Sequence, residues 1–377
     1  MKPRLRPSPL TAHPSPRPET PFVTTLPAYT ALALQADCHA INQASTVDEA
    51  RTMILAAIAR MRKLVLGSKG FIGSFKGSEV KLVVLPEYVL TGFPLGETIP
   101  AWAEKAALEP GGPEYEALAK LAQDGRLYLA GNAYERDAHF PGLYFQCCFL
   151  IAPNGETVLR YRRLISLFAP TPYDVWDKYL DLYGLEGVFP VAKTELGTLA
   201  AIASEEILYP EIARCLAMRG AEVFLHSSSE TGSPQLTVKD IAKRARAIEN
   251  LAYVVSANTS AITGTPIPAH ATNGLSKIVD FNGLVLAEAA DGESMVANAT
   301  IDLAALRRAR SAAGMANLLV RQPFALFAQS YAAHQHHAPN SFLKSGQVEI
   351  PDRAFFQERQ RREIERLRTT GVIGEPL

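Results

Sequence analysis

Gly197-Thr-Leu-Ala-Ala-Ile-Ala-Ser204-Glu-Glu-Ile-Leu-Tyr-Pro210-Glu211 runs an apolar strand straight into a polar corner, and a helix begins around Pro210. A sharp strand-to-helix corner exposes its side chain beside free backbone N–H groups, which is where α/β folds present a nucleophile. The sequence therefore marks Ser204 as a candidate reactive residue.

On either side of this corner, strand-like and helix-like patterns alternate. Upstream, Ala28–Asp37 reads as a buried strand, and Val47–Val65 reads as a helix from the spacing of Ile54, Leu55, Ile58, Met61 and Leu64. Gly67–Gly77 reads as a loop. Val80–Leu85 is the next strand, Glu114–Gln123 a short helix, and Leu127–Glu135 and Tyr144–Ile151 are strands. Pro153-Asn-Gly-Glu156 is a hairpin turn signal leading into a strand over Thr157–Arg163. Residues 164–190 read as a long irregular stretch. Downstream come a helix over Pro210–Arg219, a strand over Glu222–His226, a helix over Val238–Asn250 and a strand over Ala252–Asn258. A hairpin through Phe281-Asn-Gly283 joins the last two strands, Leu275–Asp280 and Leu284–Ala289. This alternation predicts an α/β protein with mixed sheets.

The chain has 377 residues, 47% of them hydrophobic, with 38 basic and 38 acidic side chains. It can bury a large core, and a net charge of zero offers no footprint for nucleic acid or an anionic membrane. No apolar run has the length of a membrane span. Four cysteines in such a chain do not make a disulfide framework, and a reduced, cytoplasmic setting is expected. Residues 1–27 carry eight prolines and read as an extended leader. Residues 28–310 form the predicted domain. Residues 311–377 lack the alternation and end in a charged helical run, Asp352–Arg368, suited to an extension that packs on a neighbour.

Three segments carry the chemistry. Leu82-Val-Val-Leu-Pro86-Glu87-Tyr88-Val-Leu-Thr-Gly92-Phe-Pro94 puts a carboxylate just past an apolar strand, at the edge where open α/β sheets place their sites. Gly155-Glu-Thr-Val-Leu-Arg160-Tyr-Arg162-Arg163-Leu ends a hairpin strand in arginines. The Ser204 corner continues through Pro210-Glu211-Ile-Ala-Arg214 to Arg219-Gly220-Ala221-Glu222. In this order and spacing they resemble the nitrilase (carbon–nitrogen hydrolase) superfamily. Arg244-Ala-Arg246-Ala-Ile-Glu249-Asn250 and Gly274-Leu-Ser276-Lys-Ile-Val-Asp280 extend the likeness over roughly residues 30–305.

The resemblance implies a nitrilase-like α-β-β-α sandwich that assembles into homodimers or larger homo-oligomers. It also implies cleavage or transfer at a non-peptide C–N bond of a small amide, nitrile or carbamoyl compound, with no metal or organic cofactor. In the family a thiolate attacks, a Glu moves the proton, and a Lys supplies positive charge. Glu87 falls on the Glu position, Arg163 on the Lys position and Ser204 on the Cys position. Two of the three depart from the pattern. A serine hydroxyl is far less acidic than a thiol, and an arginine cannot give up a proton at working pH. The sequence leaves open a working Glu-Arg-Ser enzyme, an inactive homologue that binds or regulates, and an engineered Cys-to-Ser knock-out.

Further residues follow from the same likeness. Glu206 and Asp174 are candidate supporting acids, Asp174 by positioning the residue at 163. Tyr88, Tyr173, Tyr209, His226 and Ser227 are candidate substrate-pocket residues, against the plainer reading of aromatic core and a helix cap. His334-Gln-His336-His337 lacks a frame and a fourth ligand at suitable spacing, and reads as a surface loop instead of a metal site.

Overall fold

The computed structural model describes residues 28–272, 274–334 and 337–374. The proline-rich leader and two members of the histidine patch, Gln335 and His336, fall outside the described residues.

The chain begins with β1 (Tyr29–Ala33) and β2 (Ala36–His39), then α1 (Val47–Lys76), β3 (Val80–Val84), α2 (Ile99–Ala106) and α3 (Pro113–Gly125). Next come β4 (Tyr128–Arg136), β5 (Tyr144–Ile151), β6 (Thr157–Arg162), a 3₁₀ turn over Pro172–Val175 and α4 (Trp176–Val188). The second half holds β7 (Ala192–Thr194), β8 (Gly197–Ala203), a 3₁₀ turn over Ser204–Leu208, α5 (Pro210–Ala217) and β9 (Val223–Ser228). After α6 (Val238–Asn250) come β10 (Tyr253–Thr263), β11 (Lys277–Val279), β12 (Val285–Glu288), β13 (Asn298–Ile301) and α7 (Leu303–Ser311). The tail carries α8 (Phe324–Ala333), a small hairpin of β14 (Leu343–Lys344) and β15 (Gln347–Val348), and α9 (Arg353–Thr369).

Two mixed sheets result. One runs β13-β1-β3-β4-β5-β6, the other β12-β11-β10-β9-β8-β7, with β2 paired to β10. Alternation along the first sheet explains the layers. Ala31, Ala33, Leu82, Val84, Cys148 and Leu150 point into a core shared with the second sheet. Their neighbours Leu32, Leu34, Val83, Leu85, Phe149 and Ile151 face α1, α2 and α3. On the far side of the second sheet, α5 and α6 contribute Ile212, Leu216 and Ala247 to the shared core. The order is helix, sheet, sheet, helix, as the family resemblance implies.

Two stretches differ from expectation. Helix α1 does not stop at Val65 but continues through Gly67, Gly70 and Gly73 to a left-handed cap at Gly77. Each glycine costs about 1 kcal/mol in a helix, yet the buried stripe of Met61, Val65, Ser68 and Ile72 persists, and Lys69 and Lys76 tie the last turns to Val80 and Asn298. The irregular stretch over 164–190 contains α4, broken at Gly184 by a φ of 60°. The charged tail helix α9 docks on its own chain. Phe356 is buried against Phe342 and Phe168, and Arg359 Nη1 donates to Asp174 Oδ1 at 2.7 Å.

The Asp174 carboxylate is buried, so removing its cation leaves a charge with too few partners. Arg359→Ala is expected to lower stability by about 1–3 kcal/mol and to expose residues 312–352 to limited proteolysis before the two-sheet domain is cut. An unchanged melting curve and cleavage pattern would contradict this docking.

Candidate active site

Glu87 sits three residues beyond the end of β3, where the backbone turns sharply. Tyr88 takes a left-handed φ of 64°, and Gly92 (φ 76°) lies so close to Ala40 that a Cβ there would meet the Ala40 methyl at 2.6 Å. The Glu87 carboxylate is fully buried. Its Oε1 accepts from Gln146 Nε2 at 2.6 Å and lies 3.7 Å from Arg163 Nη1, and its Oε2 accepts from the Ser229 N–H at 3.0 Å. Thr259 Oγ1 holds the Glu87 carbonyl.

Arg163 follows β6. In the β5–β6 register Cys147 opposes Arg162, so Gln146 comes beside Arg163 and accepts from its Nη1 at 2.7 Å. Arg163 Nε donates to the Ile165 carbonyl at 2.7 Å, and Nη2 pairs with Glu205. Burial works against the guanidinium's charge, but Tyr88, Glu87 and Glu205 more than offset it, so its pKa lies above the ordinary value.

Ser204 opens the 3₁₀ turn after β8 with φ 48°, a left-handed conformation that costs a non-glycine residue about 1–2 kcal/mol. The His226 imidazole stabilises it from behind. Nε2 donates to the Ser204 carbonyl at 2.8 Å, so Nδ1 accepts from the Ser256 hydroxyl at 2.8 Å. Burial, with Lys243 and Lys239 nearby, holds His226 well below its usual range and keeps it neutral. Ser204 is itself 4% exposed, and its Oγ accepts from Lys239 Nζ at 3.1 Å.

Glu206 braces the joint. One oxygen accepts from the N–H groups of Leu164 and Ile165 at 2.7 and 3.0 Å; the other accepts from Tyr161 Oη at 2.6 Å and the Ala203 N–H at 3.4 Å. The Ser204 turn is thereby bonded to the segment that carries Arg163. Four donors favour the carboxylate and burial opposes it, leaving the pKa at about 7.

Glu87, Arg163, Ser204 and Glu206 are thus brought to one edge of the two sheets. Tyr88 joins them, its phenol pushed up by burial and by Glu87. The other candidates make different contacts. Asp174, expected beside Arg163, instead caps its own turn through Thr171 and binds Ser341 and Arg359, because the tail supplies the partners. Tyr173 donates to the His337 carbonyl in the same tail. His226 and Ser227 form framework, Ser227 Oγ donating to the Leu85 carbonyl at 2.7 Å. Tyr209 stays 39% exposed at the start of α5. A cavity of about 350 Å³ between residues 94–100, Phe168 and residues 350–356 has none of the three central residues in its lining.

Sequence reading missed two residues of the site. Gln146 bridges Glu87 and Arg163, a role visible only once the β5–β6 register is known. Lys239 reaches Ser204 from the first turn of α6, 35 residues away.

The carbon-nitrogen hydrolase family profile matches residues 33–311, and the chain belongs to that family. A probable nitrilase of Schizosaccharomyces pombe is 27% identical over 222 residues, 59% of this chain and 75% of that protein. A formamidase of Helicobacter acinonychis is 29% identical over 181 residues, 48% of this chain and 50% of that protein. Several such matches span only half to three-fifths of the relative's length. Among solved structures, Saccharomyces cerevisiae Nit3, of the nitrilase superfamily, superposes with TM-score 0.59 at 17% identity, covering 76% of this chain and 95% of its own. A carbon-nitrogen hydrolase from Helicobacter pylori does so with TM-score 0.59 at 20% identity, covering 81% and 99%. These superpositions establish the nitrilase fold. Among the described residues no helix is long and apolar enough to cross a membrane.

The raised pKa of Glu206 gives a pH signature. Because the folded state binds this proton more tightly than the unfolded chain, the group costs stability progressively as pH rises from the ordinary 4.5 to about 7. Glu206→Gln is expected to be less stable than the unaltered chain by about 1–3 kcal/mol at pH 5, with the gap narrowing by pH 8 in urea unfolding. An equal gap at both pH values would contradict the buried, proton-binding carboxyl.

Proposed function

We propose that this protein hydrolyses a non-peptide C–N bond of a small amide, with Ser204 as nucleophile, Glu87 as proton carrier and Arg163 as electrostatic partner. The observation that carries this reading is a buried carboxylate set against a guanidinium at the strand edge that also presents the Ser204 corner. Formamidase and amidase names stand among the relatives, beside a probable nitrilase, and support a small C–N substrate of this kind.

The residues' chemistry fixes the order of events. As Ser204 Oγ bonds to the amide carbon, its proton passes to the Glu87 carboxylate. Glu87 then gives that proton to the leaving nitrogen as the C–N bond breaks, releasing ammonia or an amine and leaving an ester on Ser204. Water attacks the ester carbon with Glu87 again taking a proton; the bond to Ser204 Oγ then breaks as Glu87 returns that proton to it, and the carboxylic acid leaves. Gln146 and the Ser229 N–H hold both carboxylate oxygens of Glu87 in place, and Arg163 keeps positive charge beside it throughout.

Ammonia release from a panel of formamide, acetamide and longer primary amides tests the reading. Activity is expected in the unaltered chain and is expected to fall at least 10²-fold in Glu87→Gln and further in Ser204→Ala. Activity only in Ser204→Cys, with none in the chain as it stands, would overturn it and favour a homologue that binds without hydrolysing.

A further inference from the structure

We infer that Lys239 is a catalytic residue that supplies the positive charge on the Ser204 oxygen, a role the residue at position 163 no longer fills. The inference rests on the serine-nucleophile reading above and adds a residue to it. Arg163 is the cation at the expected place, yet its hydrogen bonds run to Ile165, Gln146 and Glu205, and none of these reaches Ser204. Its charge is shared between the Glu87 and Glu205 carboxylates.

Lys239 is placed differently. Its Nζ donates to Ser204 Oγ at 3.1 Å, to the Ser229 carbonyl at 3.1 Å and to Ser228 Oγ at 3.4 Å. Those three acceptors match the three N–H donors of an ammonium, and all three are neutral groups. Neighbouring lysines differ in this respect: Lys243 pairs with Glu230, and Lys277 with Asp240 and Glu288. Among the described residues no carboxylate pairs with Lys239, so its charge faces the Ser204 oxygen.

The backbone holds that geometry. Thr237 caps α6 by accepting from the Asp240 N–H at 3.1 Å. Arg246, two turns on, donates through Nε and Nη2 to the carbonyls of Ile207 and Leu208, in the same turn that begins at Ser204. Helix and nucleophile turn are thus fastened together. Ser229 links the two ends of the site, bonding Glu87 through its N–H and Lys239 through its carbonyl.

A serine needs this help more than a cysteine would, because its oxygen must carry charge that a thiolate bears readily. As the Ser204 proton leaves for Glu87, the ammonium stabilises the negative charge growing on Oγ. The one proton that moves is that of Ser204, which passes to Glu87.

The test uses diisopropyl fluorophosphate, which needs no knowledge of the substrate. Ser204 Oγ bonds to phosphorus, the P–F bond breaks, fluoride leaves and Glu87 takes the hydroxyl proton. Intact-mass measurement gives the rate of adduct formation, and peptide mapping locates it. The unaltered chain is expected to be modified at Ser204, Lys239→Met about 10²–10³-fold more slowly, and Lys239→Arg at an intermediate rate. The lysine is partly exposed, and Lys239→Gln, which keeps donors without the charge, supplies a second measurement should the Met variant melt early. A folded Met or Gln variant modified at the unaltered rate overturns the role of Lys239 and leaves the serine nucleophile standing. A folded, unaltered chain never modified at Ser204 overturns both.

Discussion

The site depends on one electrostatic constraint: Glu87 is completely removed from water and must be held by donors and a cation. A buried carboxylate without them would cost several kcal/mol. Gln146 from β5, Arg163 after β6 and the Ser229 N–H after β9 meet that need together. Two of these belong to the first sheet and one follows the second. Satisfying Glu87 therefore fixes how the sheets meet at this edge, and the Ser204 turn is delivered to the same place.

Glu206 repeats the device one layer away. Its four donors come from β6, the segment after Arg163 and the end of β8, so the nucleophile turn and the arginine segment move as a unit. Neutral His226 holds the strained Ser204 carbonyl from behind. The Ser204 corner is thus braced on both sides by buried framework residues. Exchanging sulfur for oxygen at such a corner changes the electrostatic demand more than the geometry. An alkoxide-like oxygen calls for a cation in direct contact, and in this chain that contact comes from α6.

Much of this was legible in the sequence. The apolar run ending in Pro86-Glu87, the Asn154-Gly155 hairpin and the Ser204 corner each give a local signal, and their order carries the family. The layered arrangement is what that family resemblance implies. What was not legible is tertiary. The glycines of α1 suggest a loop until the buried stripe through Ile72 is seen. Asp174 is close in sequence to the arginine segment, but a tail residue 185 positions away claims it. Lys239 sits in an ordinary charged helix start, and its meaning appears only when that start is found over the Ser204 turn.

The central claim is that Ser204 oxygen forms a covalent bond with the acyl group of an amide or activated ester. Rapid acid quench of the chain during turnover of p-nitrophenyl acetate, followed by peptide mass mapping, tests it most directly. The account predicts one acetyl group on the peptide containing Ser204, absent from Ser204→Ala. Steady release of p-nitrophenol with Ser204 never acetylated, or with acetyl found on another residue, would contradict it.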